Sequence, residues 1–172
     1  MKTHIAEIAK QIRKSYKDIG LTSKDVSVKS SSYSMGRSIS VKAKSPEAIK
    51  RLEELKDIAD SYKVIRRDYY TGDILNGGNT YIHCEIDFRV QNKLEEMIFS
   101  IMEEAREEAT SKPDGYAEIE SLGFSIQNDN GHWEIFDTEG IRNHYNAFDW
   151  GSLVSWANRV SLQLGRHPVF ES

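Results

Sequence analysis

The amino-acid sequence predicts an α+β protein made of two units. Apolar residues recur at helical spacing in some segments and alternate at strand spacing in others. The turn-forming run Lys112-Pro113-Asp114-Gly115 precedes a stretch of different composition. We expect residues 1–111 to form a helix-hairpin-helix-hairpin-helix unit, with an antiparallel sheet and the helices on one face. Residues 112–172 are expected to form a small hairpin-plus-helix unit.

The first helix and the first hairpin are predicted within the opening 44 residues. Apolar side chains recur every three or four residues from Ile5 to Ile19, and Gly20 follows them. The segments 25–35 and 38–44 alternate apolar with polar residues, and we expect Gly36-Arg37 to form the turn between them.

A second helix, a second hairpin and a third helix should complete this unit. Ser45-Pro46-Glu47 is typical of a helix N-terminus, and the apolar stripe after it predicts a helix to about Tyr62. Residues 63–70 and 80–90 have strand character and flank a turn-rich loop. An apolar stripe over 94–105 predicts the third helix.

The last third of the chain contains all three tryptophans, together with four basic and nine acidic residues. Apolar runs at 124–126 and 133–136 flank Asn130-Gly131, which is a strong hairpin signal. Either Asp149 or Ser152 can cap a final helix.

Composition restricts the class of protein. The chain has 172 residues, a formal net charge of −4 and one cysteine, so no disulfide can form within it. It lacks an N-terminal apolar run and any long apolar stretch. We therefore expect a cytoplasmic protein that does not bind membranes.

The small net charge conceals a strong asymmetry along the chain. Residues 1–44 carry ten Lys and Arg against three acidic residues, a charge of +7. Residues 91–110 carry two Lys and Arg against six glutamates, a charge of −4. A basic segment suits phosphates and an acidic helix suits a basic partner, although either can also serve only as a solvated surface.

Two candidate surfaces follow from this asymmetry. The first is an acidic patch near the end of the third helix, where the helix dipole disfavours negative charge; it comprises Glu103, Glu104, Glu107 and Glu108. The second is a nucleic-acid contact in the first hairpin, which combines cations with an aromatic ring that can stack on a base; it comprises Lys29, Tyr33 and Arg37. A lysine-bearing edge that discourages strand pairing is the alternative for the second surface.

Catalytic and metal motifs are weak in this sequence. Strand alternation places Cys84 on the apolar side, where a thiol is unreactive. The histidines have no metal-ligand spacing, so no cofactor or metal is expected. An enzymatic alternative would use the titratable residues around the C-terminal hairpin, namely His132, Glu134, Asp137, Glu139 and His144.

Two segments, Ile8–Lys14 and Val26–Val41, carry a family resemblance. They contain a helix rich in lysine and arginine, then a Ser-Tyr-Ser run, a small-residue turn and a Ser-Ile strand. This pattern resembles a large polyvalent protein-associated domain of phages and conjugative elements, over residues 1 to about 90. Tyr69-Tyr70 and Tyr81 lie where that family has a tyrosine-containing hairpin. Lys42-Ala43-Lys44-Ser45 departs from the Trp-Thr-Asp-Gly stretch often found there.

The resemblance implies residence on a mobile element and protection of invading DNA against host defences, and it brings no catalytic residues. Our leading hypothesis is a non-enzymatic inhibitor that binds a host defence protein in the host cytoplasm. Its sharpest form is an anti-CRISPR protein against a Cas9-type nuclease, with the acidic patch as a phosphate mimic. The alternative is a nucleic-acid-binding accessory protein of a mobile element that uses the basic N-terminal region.

Overall fold

The computed structural model describes residues 5–33, 36–75, 79–137, 145–147 and 149–171. Contacts divide the chain into two compact units, residues 1–88 and residues 89–172. Both units combine helices with strands, so the predicted α+β class is confirmed.

The first unit is a three-stranded sheet with helices packed on one face. Its elements are α1 (Ile5–Asp18), β1 (Val26–Tyr33), β2 (Gly36–Ala43), α2 (Pro46–Lys50), α3 (Leu52–Asp60) and β3 (Thr80–Ile86). The strand order is β1-β2-β3, so the central strand is β2.

The predicted opening helix and the antiparallel pairing of the first two strands are present in the structure. The apolar stripe of α1 is buried, and β1 pairs antiparallel with β2 along its whole length. The prediction that Gly36 and Arg37 form the turn is wrong, because both residues lie in β2, opposite Tyr33 and Ser32.

The predicted second helix is interrupted at Arg51. The Ser45 hydroxyl caps α2 as expected, by accepting a hydrogen bond from the Ala48 amide at 3.3 Å. Arg51 then leaves helical geometry, and its guanidinium donates to the carbonyl of Ile19 at 2.8 Å and to the carboxylate of Glu54 at 2.7 Å. These bonds stabilise a break between α2 and α3.

The predicted second hairpin and the fully antiparallel sheet are wrong. Among the described residues, 63–75 take part in only two isolated bridges, Val64 with Thr80 and Arg67 with Ile74. Strand β3 instead pairs parallel with β2, from Arg37 opposite Thr80 to Ala43 opposite Ile86. The segment with α2 and α3 returns the chain to the starting end of β2, which is what a parallel crossover requires.

The core of this unit lies between the helices and one face of the sheet. Apolar side chains of all three strands are buried there, including Val28, Val41 and Ile82. Helices α1 and α3 are joined over this core by a hydrogen bond of 2.8 Å from the hydroxyl of Tyr16 to the carbonyl of Leu55.

The second unit is a four-stranded antiparallel sheet with two helices. Its elements are α4 (Phe88–Ser111), β4 (Tyr116–Ile119), β5 (Phe124–Asp129), β6 (His132–Asp137), β7 (Tyr145–Ala147) and α5 (Trp150–Gln163), with short 3₁₀ turns at Glu120–Leu122 and Pro168–Phe170. The strand order is β4-β5-β6-β7.

The predicted hairpin of this unit is confirmed as β5 and β6. Asn130 and Gly131 both have positive φ, 52° and 89°, as a two-residue hairpin turn of this type requires. Asp149 caps α5 by accepting from the amide of Ser152 at 2.9 Å. Strands β4 and β7 are additions that the sequence did not predict.

Helix α4 packs with the second unit, whereas the sequence placed it in the first. Its buried stripe, which includes Ile98, Met102 and Ala109, belongs to one core cluster with Phe124 of β5 and Leu153 of α5. The division by contacts consequently falls at 88/89 instead of 111/112. The turn signal at Lys112 marks the end of a helix within this unit.

Two glycines of the second unit allow a matched test of its packing. Gly115 and Gly165 have nearly equal φ values of +65° and +69°. A Cβ on Gly115 would lie 2.3 Å from the carbonyl oxygen of Asn128, whereas a Cβ on Gly165 would meet nothing within 4 Å. Urea denaturation should show that Gly165→Ala lowers the free energy of unfolding by about 1 kcal/mol, for backbone strain.

Gly115→Ala should cost about 3 kcal/mol because steric overlap adds to the same strain. Equal losses in the two variants would show that the close approach of Gly115 to Asn128 is wrong.

Candidate binding surfaces

The sheet of the first unit has one face that its helices leave open. Strand alternation turns the apolar residues toward α1 and α3, so the intervening residues point to the opposite side. The register aligns these residues in three rows across β1, β2 and β3: Ser31-Ser38-Tyr81, Lys29-Ser40-His83 and Ser27-Lys42-Glu85. Every side chain of these rows is exposed or half-buried. We call these nine residues, with Tyr33 at one end, the open face.

Two tyrosine rings stand side by side at one end of the open face. Gly36 lies in β2 between Tyr33 and Tyr81, and a Cβ at this glycine would be 3.3 Å from the Tyr33 hydroxyl oxygen and 3.3 Å from Cε2 of Tyr81. These two atoms are therefore no more than twice that distance apart. The missing side chain of Gly36 leaves space for both rings.

The buried side chain of Asn79 holds Tyr81 in place. Its amide Nδ2 donates to the Tyr81 hydroxyl at 3.2 Å and to the carbonyl of Leu75 at 2.8 Å. Its Oδ1 accepts from the amide of Arg66 at 2.8 Å. Tyr81 thus has a fixed orientation, whereas Tyr33 is 49% exposed at the end of an edge strand.

The open face separates the three residues of the predicted nucleic-acid contact. Lys29 and Tyr33 lie on it, but Arg37 is opposite Ser32 in the alternate register and points to the helix-covered side. The residues that share the open face with Lys29 and Tyr33 include Tyr81, His83 and Lys42 instead.

Charge on the open face is modest. Lys29 is exposed, while Lys42 pairs with Glu85, its cross-strand neighbour, at 3.3 Å. The first unit has sixteen Lys and Arg against twelve acidic residues, a formal charge of +4. The second unit has seven against fifteen, a charge of −8. Each unit therefore carries one sign of the asymmetry seen in the sequence.

The predicted acidic patch lies on the second half of α4, where two of its four glutamates have basic neighbours. Glu103 accepts from Arg106 at 3.3 Å, and Glu108 from Lys112 at 2.6 Å. Glu104 and Glu107 are exposed, and no Lys or Arg within the described part of the chain lies at ion-pair distance from either. Arg106 also stacks on the ring of Trp150, 5.0 Å from its centroid.

A groove extends the acidic patch beyond the helix. It has a volume of about 660 Å³, and its acidic lining combines Glu104 and Glu108 of α4 with Glu118 and Glu120. The hydroxyl of Tyr116 donates to the Glu118 carboxylate at 2.9 Å, and both residues line the groove from β4. We call Glu104, Glu107, Glu108, Glu118 and Glu120 the acidic surface.

Sequence reasoning missed parts of both surfaces for one reason. The alternation of Tyr81 and His83 against Ile82 was visible, but their neighbours depend on the parallel pairing of β2 with β3. Glu118 and Glu120 join α4 through β4, a strand that the sequence did not predict.

The candidate catalytic cluster of the C-terminal hairpin is divided. His132 and Glu134 point to one side of β6, whereas Asp137 has the opposite parity, is almost fully buried and pairs with Arg166 at 3.4 Å. Glu139 and His144 lie outside the described residues. Within the described ranges, no three His, Cys, Asp or Glu side chains converge as metal ligands.

Cys84 lies on the helix-covered face of β3, opposite Val41. It is half-buried, and burial raises the pKa of its thiol to about 11. A thiol of this kind stays protonated at neutral pH and is a poor nucleophile.

His167 is a buried structural histidine. Its Nδ1 accepts from the amide of Val169 at 3.1 Å, and its Nε2 lies 3.3 Å from the carbonyl of Leu94 and 3.1 Å from Oδ1 of Asn158. The ring is therefore neutral and carries its proton on Nε2. Burial lowers the pKa of His167.

Among the helices that the structure describes, none is long and apolar enough to span a bilayer. Comparison of the chain with known protein families, with curated proteins and with solved structures finds no match. The resemblance to a polyvalent protein-associated domain rests on its motif alone.

The neutral His167 should make stability depend on pH. Below the ordinary histidine pKa of about 6.5 the unfolded chain takes up a proton that the folded chain does not, so stability falls as the pH falls. Urea midpoints measured from pH 7.5 to pH 5 should decrease. The decrease should be smaller in His167→Gln, and that variant should also lose about 1–3 kcal/mol at pH 7.5 because buried partners lose their hydrogen bonds.

His83→Gln is the matched control, since His83 is exposed on the open face. It should retain the pH dependence of the original chain. An unchanged slope in His167→Gln would show that other groups cause the dependence.

Proposed function

We propose that this protein acts without catalysis, by binding a host defence protein through its acidic surface. In the sharpest form of this proposal it is a mobile-element inhibitor of a CRISPR effector, with a Cas9-type nuclease as the partner. The observation that carries the proposal is a groove lined by four glutamates and one lysine, in a unit whose formal charge is −8.

The chemistry of the acidic surface is suited to a partner protein whose own ligand is a nucleic acid. A Cas9-type nuclease holds its heteroduplex in a positively charged channel and recognises it by backbone geometry. Carboxylates spaced along a helix and a neighbouring strand present charged oxygens to the same Arg and Lys side chains that bind phosphates. Occupation of the channel would block access of nucleic acid.

Glu104 and Glu107 are exposed members of the surface, and no ion pair to either lies among the described residues. Glu108 must release Lys112 before it can pair with a partner, whereas Glu104 and Glu107 have no such cost among the described contacts. Solvent-exposed ion pairs are weak, so breaking the pair of Glu108 with Lys112 costs little free energy. Because one ion pair then replaces another, Glu108 adds less to binding than an unpaired glutamate.

A cleavage assay tests this proposal directly. The purified protein is mixed with guide-loaded Cas9-type nucleases and other defence nucleases, and target cleavage and co-elution are measured. Inhibition is expected for at least one of them. The double variant Glu104→Gln/Glu107→Gln should weaken inhibition about tenfold or more, because charged hydrogen bonds are lost.

The matched control is Glu7→Gln/Asp57→Asn, which makes the same change in net charge on exposed positions of α1 and α3. It should inhibit like the original chain. Absence of any complex and of any inhibition across the panel would refute the proposal. Equal losses of inhibition in both double variants would show that the acidic surface is not the binding site.

A further inference from the structure

We infer that the open face of the first unit binds single-stranded nucleic acid, with bases stacked on Tyr33 and Tyr81. This is a second function, independent of the acidic surface. It differs from the site predicted by sequence, because Arg37 is replaced by Tyr81, His83 and Lys42.

The first support is the pair of rings. Base stacking on aromatic side chains drives sequence-tolerant binding of single strands, and a sheet face that displays aromatic residues is a common platform for it. Tyr33 and Tyr81 lie on the same face, next to one another over Gly36. Because Asn79 already fixes Tyr81, little side-chain entropy is lost there on binding.

The second support is what surrounds the rings. The row next to Tyr81 contains Lys29 and His83, both exposed, and Ser40 between them offers a hydroxyl donor to phosphate and sugar oxygens. Glu85 is the one carboxylate in the three rows, and it is paired with Lys42 in the row farthest from the tyrosines. The end with the rings therefore carries positive charge.

The third support is the shape of the surface. The open face is a shallow sheet surface, and its rings are accessible only to bases that are not already stacked in a duplex. The neighbouring rows of the sheet suit an extended strand of nucleic acid that crosses β1, β2 and β3. We therefore assign a single strand as the ligand in preference to a duplex.

The test uses fluorescence anisotropy with labelled twelve-nucleotide strands, oligo(dT) and oligo(U), and a duplex of the same length, at 50 mM salt. Both single strands are expected to bind, and more tightly than the duplex. Preference for oligo(U) would identify RNA as the ligand, through contacts of the serine hydroxyls with the 2′-OH. Equal affinity would show that the site binds single-stranded DNA and RNA alike.

Variants locate the site. Tyr33→Ala and Tyr81→Ala should each weaken binding about tenfold, as expected for one lost stacked base. Lys29→Gln should weaken binding and lower the salt dependence. If Tyr81→Ala unfolds, Tyr33→Ala and Lys29→Gln still test the site, since both side chains are exposed.

The controls are Tyr69→Ala and Lys50→Gln, an exposed tyrosine and an exposed lysine that do not belong to the open face. Both should bind like the original chain, and so should Glu104→Gln/Glu107→Gln, which separates this function from the proposed inhibitor function. No anisotropy change with either single strand at low salt, or equal losses in controls and open-face variants, would overturn the inference.

Discussion

The parallel pairing of β2 with β3 is the constraint on which the first unit depends. It buries β2 between two neighbours and aligns Ile39 with Ile82 and Val41 with Cys84 on the helix-covered face. Because the side-chain period of a strand is two, the same register fixes every residue of the open face. A shift by one residue would move Tyr81 into the core and Ile82 into solvent. The hydrophobic pattern that stabilises the unit therefore also positions its candidate binding residues.

The elements that the sequence predicted correctly are those set by local signals. The stripe of α1, the cap at Ser45, the Asn130-Gly131 turn and the cap at Asp149, one of the two candidates, each depend on residues that are close together in sequence. The second hairpin failed because residues 63–70 have strand character without a partner strand. Strand pairing depends on long-range packing, here of α3 on β3, and the periodicity of a single segment gives no information about such packing.

The same difference between local and long-range signals decides which parts of the candidate surfaces could be predicted. Glutamates spaced along one helix share a face by geometry alone, so the α4 part of the acidic surface could be read from spacing. The pairing of Glu103 with Arg106 and of Glu108 with Lys112 has the same spacing and could be anticipated in the same way. The open face could not be predicted in this way, because Lys29 and Tyr81 are far apart in sequence. They lie on one face only because β1 and β3 both pair with β2. Arg37 was expected in the turn, but it lies in β2 on the helix-covered side of the sheet.

The two surfaces should respond differently to salt, and this follows from their chemistry. The acidic surface offers only charge and hydrogen bonds, so its binding energy is largely electrostatic and is screened by ions. The open face offers two aromatic rings and Lys29, which has no ion pair among the described residues, so stacking supplies much of its energy. With about one or two phosphate contacts, its affinity should change only several-fold between 50 and 200 mM salt. A net charge of −4 thus describes neither surface, because charges of opposite sign belong to different units with different chemistry.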